Sequence, residues 1–223
     1  MCERAQDEVA EPLSRLSIVA AAIHLTQQVS VTELSMRQVA RHMKRAPMSL
    51  YRHISDVEQL RQLVVGTLID TVDLTDHGCD WRRTTTEAAH RLRELFSADP
   101  GMVIVIMRSG LSTPGMVKNL DVMMGALRTA GLGWDDVARG HSALMCLIFG
   151  SAVLQRSLVE AFPGFEADPL VQREFIQNLI PDDDGGLVNM KAVAPAWADM
   201  APDEPFDFAL DRLMDGIERL SRP

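Results

Sequence analysis

Apolar residues recur three or four positions apart over nearly the whole chain, which is the spacing of amphipathic α-helices. No run alternates apolar and polar residues with the β-branched and aromatic enrichment that is typical of strands. Residues 102–107 are rich in Val and Ile, but a short buried helix is predicted there because the chain offers no second strand to pair with it. The pattern therefore predicts an all-α protein.

Capping residues predict four helices in the first third of the chain. The first covers residues 14–29, and its predicted apolar face contains Leu16, Val19, Ala20, Ile23 and Val29. Capping boxes at 35–38 and 55–58 mark two later helix starts, and Pro47 suits the first position of the short helix between them. The helix after residue 55 is predicted to continue to about residue 74 and to connect two domains.

The rest of the chain shows a longer series of helical patterns, separated by Gly, Pro and Asp. Residues 181–205 contain an Asp-rich, Gly-rich stretch and several prolines, and we predict that they are the least ordered region. Asp182, Asp183 and Asp184 are interpreted as a solvated loop and not as a metal site, because no His or Glu lies at ligand spacing. The helices predicted here cover residues 81–97, 102–107, 114–130, 135–160, 169–180 and 206–220.

Positive charge is concentrated in one short segment. Residues 35–55 contain five Arg and Lys residues and no Asp or Glu, in a chain whose formal net charge is -9. A local basic surface on an acidic protein is typical of phosphate binding, because Lys and Arg neutralise the nucleic-acid backbone and release counterions. Two short helices separated by a turn within this segment predict a helix-turn-helix that binds DNA.

The run LSMRQVARHMKRAPMSLYRHIS, with the helix before it, resembles the DNA-binding domain of the tetracycline-repressor family of bacterial transcription regulators. Asp80-Trp81-Arg82, Asp99-Pro100-Gly101, Ala130-Gly131-Leu132 and the closing run from Phe206 resemble landmarks of the family's second domain. The resemblance implies an N-terminal three-helix DNA-binding domain over residues 13–60, with a helical effector-binding and dimerisation domain over residues 61–223. It also implies a homodimer that a small effector releases from a palindromic operator.

The resemblance also implies which side chains contact DNA. Arg37, Met48 and Ser49 would face bases, Tyr51 and His53 would contact phosphate, and Arg52 would do either. The chain departs from the family in its turn, where Lys44 and Arg45 replace a Gly and an apolar residue, so we expect a strained or reshaped turn. It also has Val57 where the family often has a Lys that binds phosphate, and Lys44 and Arg45 are hypothesised to supply backbone contacts in its place.

The second domain offers few polar candidates for an effector site. Arg108, His141, Ser142 and Met145 lie in apolar surroundings and are predicted as pocket residues, with ordinary core or interface roles as the alternative. The 13 methionines suggest an adaptable interior that suits a largely apolar effector, although core packing explains them equally well. No metal or cofactor is expected, because the residues that bind a magnesium chelate in the tetracycline-binding member have no match here.

The remaining features predict the cellular location of the protein and argue against membrane and enzyme functions. Three cysteines without C-x-x-C spacing fit a reducing cytoplasm, and Cys146 is predicted to pack in the interior. The apolar runs 102–107 and 143–154 are shorter than a bilayer span, so no membrane association is expected. No catalytic constellation has informative spacing. The prediction is a repressor and not an enzyme, and the alternative is an apolar-ligand carrier or an enzyme that retains an unused helix-turn-helix.

Overall fold

A computed structural model describes residues 12–74, 77–78, 80–110, 113–165, 168–179 and 186–220. Every regular element in these ranges is helical and none is a strand, which confirms the all-α prediction. The α-helices are α1 Arg15–Leu25, α2 Met36–His42, α3 Pro47–Leu50, α4 Val57–Asp70, α5 Trp81–Ala98, α6 Gly101–Ser109, α7 Pro114–Thr129, α8 Trp134–Ala161, α9 Pro169–Asn178, α10 Val188–Ala198 and α11 Glu204–Leu220, and a 3-10 turn covers Val31–Glu33.

The chain forms two compact units, and the division differs from the predicted one at residue 60. The first unit contains the described residues up to Thr71 together with those of 101–116, and the second contains residues 72–100 and 117 onward. Helix α6 joins the first unit because it packs against α4 and the 3-10 turn. Its buried residues Met102, Val103, Val105 and Ile106 extend the core under the helix-turn-helix.

Helix α1 begins where the sequence predicts but buries a different face. Ser14 caps it, and Ser17 completes the capping box. The helix ends at Leu25 instead of about residue 29, and its buried residues are Ile18, Val19 and Ala22. The predicted apolar face was therefore wrong in part, since Leu16 is 82% exposed. Residues 18, 19 and 22 form one stripe at helical spacing, and Leu16 lies outside it.

Helix α4 starts one residue later and ends earlier than predicted. Its cap is Asp56, whose carboxylate accepts from the Gln59 backbone N–H, and the side chain of Gln59 accepts from the Ser55 N–H. The capping box at 55–58 is therefore wrong by one residue. The helix ends at Asp70 and not near residue 74, and beyond its end the Val72 carbonyl accepts from the side chain of Asn119, 47 residues away.

The starts of α6, α7 and α8 follow the sequence signals. Residues 102–107 lie within a helix, as predicted. Thr113 caps α7 by accepting from the Met116 N–H, and Gly131 ends it with a φ of 95°, a left-handed conformation that favours glycine. Asp135 and Asp136 occupy the first turn of α8, where carboxylates complement the positive end of the helix.

The core of the second unit is built by α5, α8 and α11, which pack on one another. Arg82 on α5 adds a polar link between α5 and α11, because its guanidinium pairs with Asp211, Asp215 and Glu218. The core side chains are Ala88, Ala89, Leu92, Phe96, Leu144, Ile148, Ala152, Leu210, Met214 and Ile217.

Two predictions for the second unit need correction. The region predicted as least ordered contains helix α10, although residues 181–185, and with them the three consecutive aspartates, lie outside the described residues. Cys146 is exposed and not packed in the interior. It lies roughly 200° around α8 from the buried Leu144 and Ile148. Cys2 and Cys79 lie outside the described residues.

Helix α8 is long and apolar enough to cross a bilayer, whereas the sequence prediction considered only the shorter run 143–154. Length and composition are weak evidence, because a long core helix of a globular domain meets the same criteria. Only 17% of its most apolar 18-residue window is buried within the chain. Much of the apolar surface of α8 is therefore left uncovered by the described residues of this chain.

Candidate DNA interface and candidate ligand cavity

The helix-turn-helix is held by short-range caps and a small apolar core. The Ser35 hydroxyl accepts from the Gln38 N–H and donates to the Gln38 side-chain oxygen at 2.6 Å, so the predicted start of α2 is confirmed. Helix α2 packs on α1 and α3. The buried side chains that fix the angle between α2 and α3 are Val39, Ala40, Leu50 and Ile54.

The turn after α2 is a Schellman motif with lysine at the position that normally takes glycine. The Arg45 N–H donates to the Ala40 carbonyl at 2.9 Å, and the Lys44 N–H donates to the Arg41 carbonyl at 3.1 Å. Lys44 has a φ of 53° and is the one non-glycine residue with positive φ in the described part of the chain. The predicted strain is confirmed, because a residue with a Cβ is disfavoured in this conformation by about 1 kcal/mol or more.

Helix α3 is shorter than predicted. Pro47 occupies its first position as expected, but the helix ends at Leu50, and residues 51–53 form a turn instead of completing a seven-residue helix. The turn is closed by the His53 and Ile54 N–H groups, which both donate to the Leu50 carbonyl. Four helical residues and one further turn therefore present the side chains of the predicted recognition helix.

The predicted DNA contacts lie almost entirely on the surface. Ser49 is half-buried, and its hydroxyl donates to the Ala46 carbonyl at 2.6 Å, which leaves its oxygen lone pairs as acceptors. Met48 is 74% exposed, which is unusual for a methionine in a small domain. The other predicted contacts are also exposed, namely Arg37, Lys44, Arg45, Tyr51, Arg52 and His53.

Four cations of this segment have no ion-pair partner within the described residues. Arg37, Arg41, Lys44 and Arg52 form no ion pair there. Arg41 was not among the predicted contacts, although it is exposed in the last turn of α2 and belongs to the same basic run. At the start of α4 Val57 is half-buried, and beside it the Gln59 backbone N–H and the Ser55 hydroxyl lower the pKa of Asp56. The start of α4 therefore presents the Asp56 carboxylate and has no cation at position 57.

The four residues predicted for an effector pocket belong to two different units, one to the first and three to the second. Arg108 is exposed on α6 in the first unit, whereas His141 is buried, Met145 is half-buried and Ser142 is exposed on α8 in the second. Burial lowers the pKa of His141, whose Nε2 has no hydrogen-bond partner among the described residues. The Ser142 hydroxyl donates to the Ala138 carbonyl. None of the four lines either cavity described below, and their role as effector contacts stays a prediction.

The second unit contains an apolar cavity of about 360 Å³ whose wall was not predicted from the sequence. It lies between α5, α8, α9, the end of α10 and the start of α11. Its walls are formed by Arg93, Ser151, Leu154, Gln155, Leu158, Phe165, Gln172, Phe175, Trp197, Met200, Ala201, Pro202, Pro205 and Phe206. Few polar groups in an apolar, aromatic wall are typical of a small-molecule site.

Two buried polar side chains border the cavity. The Gln172 amide nitrogen donates to the Met200 carbonyl at 2.8 Å, which ties α9 to the segment after α10. Arg93 donates to Gln155 at 2.5 Å and to Asp203 at 2.9 Å. Its guanidinium also lies over the ring of Phe206, with the carbon 4.7 Å from the ring centre. The sequence held no local signal for this cluster, because its members come from three distant segments.

A second, larger cavity of about 450 Å³ lies between α9 and α10. Its wall contains the ion pair of Arg173 and Asp199, whose side chains are both more than half exposed. No group of three or more potential metal ligands occurs in the described part of the chain.

A profile described as "Tetracyclin repressor-like, C-terminal domain" matches residues 74–221, about two thirds of the chain. An HTH-type transcriptional regulator of Saccharopolyspora erythraea is 27% identical over 140 residues, which cover 62% of this chain and 59% of that protein. The HTH-type transcriptional repressor DrrR1 of Streptomyces coeruleorubidus is 24% identical over 213 residues, covering 91% and 76% of the two chains. The match thus spans less than two thirds of the length of the first of these relatives.

Solved structures share the fold. Apo ActR from Streptomyces coelicolor superposes with a TM-score of 0.78 at 22% identity, covering 94% of this chain and 97% of that one. ActR in complex with actinorhodin superposes with a TM-score of 0.78 at 23% identity, covering 95% and 100%. At this level of identity the likeness shows the arrangement of helices and leaves the ligand of this chain open.

Proposed function

Because the chain belongs to the tetracycline-repressor family, we propose that it is a ligand-responsive transcriptional repressor that binds a palindromic operator as a homodimer in the cytoplasm. The observation that carries this proposal is the helix-turn-helix of residues 35–55, in which four exposed cations, Arg37, Arg41, Lys44 and Arg52, form no ion pair within the described part of an acidic protein. Free cations are what counterion release from DNA requires. The names of the repressor relatives agree with this function.

The proposed roles of the DNA-facing side chains follow their positions. Arg37 opens α2, while Met48 and Ser49 lie on α3, and these three residues face base edges. Tyr51, Arg52 and His53, in the turn that follows, contact phosphate or the edge of the groove. Lys44 and Arg45 add phosphate contacts from the strained turn and replace the cation that is missing at Val57.

The uncovered apolar surface of α8 and α11 supports the proposed dimer. Trp134, Val153 and Leu154 on α8, with Phe208 and Leu220 on α11, are exposed apolar side chains. Pairing these two helices with the same helices of a second copy would bury them in a four-helix arrangement. A two-fold dimer then matches half-sites whose centres lie about 34–36 Å, or a multiple of this distance, apart.

An effector can act through the junction of α4 and α7. In the first unit the Thr113 hydroxyl donates to the Asp70 carboxylate, and Gly115 approaches so closely that an added Cβ would lie 2.8 Å from the Asp70 Cα. Helix α7 continues from this contact into the residues of the second unit. A ligand that favours another position of α7 would thereby move α4 and the DNA-binding helices, and a coupling of about 1–3 kcal/mol suffices for regulation.

DNA binding is tested by a gel shift on the duplex upstream of the protein's own gene at several salt concentrations, with a scrambled duplex of equal length as control. We expect a sequence-dependent shift whose affinity falls steeply with salt. An absent shift at low salt, together with retained small-molecule binding, would favour the alternative of an apolar-ligand carrier, for which the 360 Å³ cavity is the supporting observation.

Ligand response is tested by repeating the operator titration with a panel of aromatic and apolar compounds. The expected result is a compound that weakens operator binding by about five-fold to 150-fold. Equal operator affinity across the whole panel would contradict release by an effector of this class. The solved complex of ActR with actinorhodin makes polycyclic aromatic compounds the first choice for the panel.

A further inference from the structure

Arg93 is a buried cation at the edge of the 360 Å³ cavity with spare hydrogen-bonding capacity. Its residue is 9% exposed, and its Nε–H has no hydrogen-bond partner among the described residues. Its two terminal nitrogens are held by Gln155 and Asp203. A buried guanidinium needs an anion, and it binds planar acids through a fork of parallel N–H donors.

The carboxylate that neutralises Arg93 is poorly retained. The Asp203 side chain is 66% exposed, while that of Arg93 is 11% exposed, so one partner of the pair faces water. Asp203 lies in the turn just before α11. The exposed Asp203 carboxylate can return to water at a low cost in free energy, whereas the buried Arg93 guanidinium cannot. Another acid that enters the cavity can therefore displace Asp203 from Arg93.

The rest of the wall selects for aromatic rings. Phe165 and Phe175 pack edge to face with a ring-centre separation of 5.4 Å, and Trp197 and Phe206 line the same cavity. Flat, polarisable surfaces of this kind favour a planar ring system stacked or packed edge-on between them. Arg93 lies over Phe206, so the acid site and the aromatic wall are adjacent.

We propose that this cavity binds a planar aromatic acid whose anionic group replaces Asp203 on Arg93. The inference rests on the proposed function for its regulatory meaning, because release of Asp203 at the start of α11 would alter a helix of the proposed dimer interface. The binding event itself needs no DNA, so it is measured separately.

The test compares two probes that match in shape and differ in charge, naphthoate and naphthylmethanol, by isothermal titration calorimetry with the full chain near neutral pH. The wild-type protein is expected to bind naphthoate about tenfold more tightly than the alcohol, since a hydrogen-bonded charge pair is worth about one decade. Arg93→Gln is expected to abolish this preference.

Asp203→Asn gives the sharper result, because it removes the competing carboxylate and leaves Arg93 in place. We expect it to strengthen naphthoate binding by about threefold or more and to leave naphthylmethanol binding unchanged. This variant decides the question even if Arg93→Gln fails to fold, which a thermal melt would reveal. A purely structural ion pair predicts the opposite, with unchanged or weaker binding of both probes.

Arg173→Gln and Asp199→Asn are the matched controls, because they break an exposed Arg–Asp pair at the other cavity. Both are expected to leave the naphthoate preference intact. Equal binding of the two probes by wild-type protein, or unchanged or weaker naphthoate binding by Asp203→Asn, would overturn the inference while leaving the gel-shift result untouched. A failed gel shift with an intact charge preference would instead contradict the proposed function alone.

Discussion

The basic segment of the first unit and the second unit use their arginines in opposite ways. In the basic segment, residues 35–55, Arg37, Arg41 and Arg52 form no ion pair within the described residues. In the second unit, arginines on four helices pair with carboxylates, as Arg82 does with Asp211 and Asp215, and Arg93 with Asp203. Free cations preserve affinity for an external anion, whereas paired cations contribute to the stability of the unit that contains them.

This difference separates recognition from stability. An exposed ion pair contributes at most about 1 kcal/mol to the free energy of folding. Its cation is already neutralised by the paired carboxylate, so it attracts a polyanion such as DNA less strongly. The absence of acidic residues from 35–55 keeps that segment attractive to phosphate although the chain is acidic overall. Removing a free cation should therefore affect DNA binding, and removing a paired one should affect folding.

The largest effect is expected from Arg37→Ala. Loss of a base-contacting arginine should weaken operator binding by about 1–3 kcal/mol and relax specificity at one position, while the melting temperature stays unchanged. Fluorescence anisotropy with operator variants measures both quantities. The control is Arg83→Ala, which removes an equal charge from an exposed pair with Glu87 in the second unit. Equal weakening in both variants would mean that Arg37 acts only through net charge.

The strained turn gives an effect of about 1 kcal/mol on stability. Lys44→Gly removes both the charge and the strain of the left-handed conformation, whereas Lys44→Ala removes only the charge. The free energy of unfolding of the glycine variant should therefore be about 1 kcal/mol higher than that of the alanine variant. Denaturant titration measures the difference. Both variants should lower the slope of log affinity against log salt by about 0.9. An unchanged slope would show that Lys44 makes no phosphate contact.

A smaller effect is expected when a paired cation is removed. Arg82→Gln breaks the link between α5 and α11 through Asp211, Asp215 and Glu218, and the unfolding free energy should fall by up to about 1 kcal/mol because the pair is partly exposed. Operator affinity should not change for as long as the protein is folded. A loss of DNA binding without a loss of stability would break the proposed division of roles.

The smallest effect concerns acid stability. Hydrogen bonds from Arg83 and His77 lower the pKa of Glu87 from 4.5 to about 2. A carboxylate with a depressed pKa stabilises the fold above the pKa of its unfolded state, and this contribution is lost as pH falls from about 4.5 towards 2. Glu87→Gln should therefore reduce the pH dependence of unfolding in that window. Glu94→Gln, on the same helix, forms no described ion pair and should match the wild type.

Much of the helical framework was predictable because its signals are local. Ser14, Ser35, Pro47, Thr113 and Gly131 lie at the helix boundaries that their chemistry indicates. The strained Lys44 was predictable for the same reason, since the hydrogen bonds of its turn reach back only to residues 40 and 41. The predicted membership of the chain in the tetracycline-repressor family was confirmed by the profile that matches residues 74–221.

The wrong predictions have two physical origins, distant packing partners and, for one helix, an obscured local pattern. Local pattern cannot decide which face of a helix a distant partner covers, so Leu16 and Cys146 were assigned to an interior that the described residues do not provide for them. The end of α4 was also misplaced, and the chain beyond it is held by a distant partner, since the side chain of Asn119 donates to the Val72 carbonyl. Helix α10 was missed because Pro195 and a low apolar periodicity obscure its pattern.

The sequence by itself determined the helical class, most helix boundaries and the basic character of the DNA-binding segment, because each depends on residues within about four positions of one another. Only the tertiary structure decided the cavity and its charge. The pair of Arg93 and Asp203 joins residues 110 positions apart, and Gln155 joins it from a third segment. Such a site exists only once packing has brought distant segments together, and for that reason no spacing in the sequence indicates it.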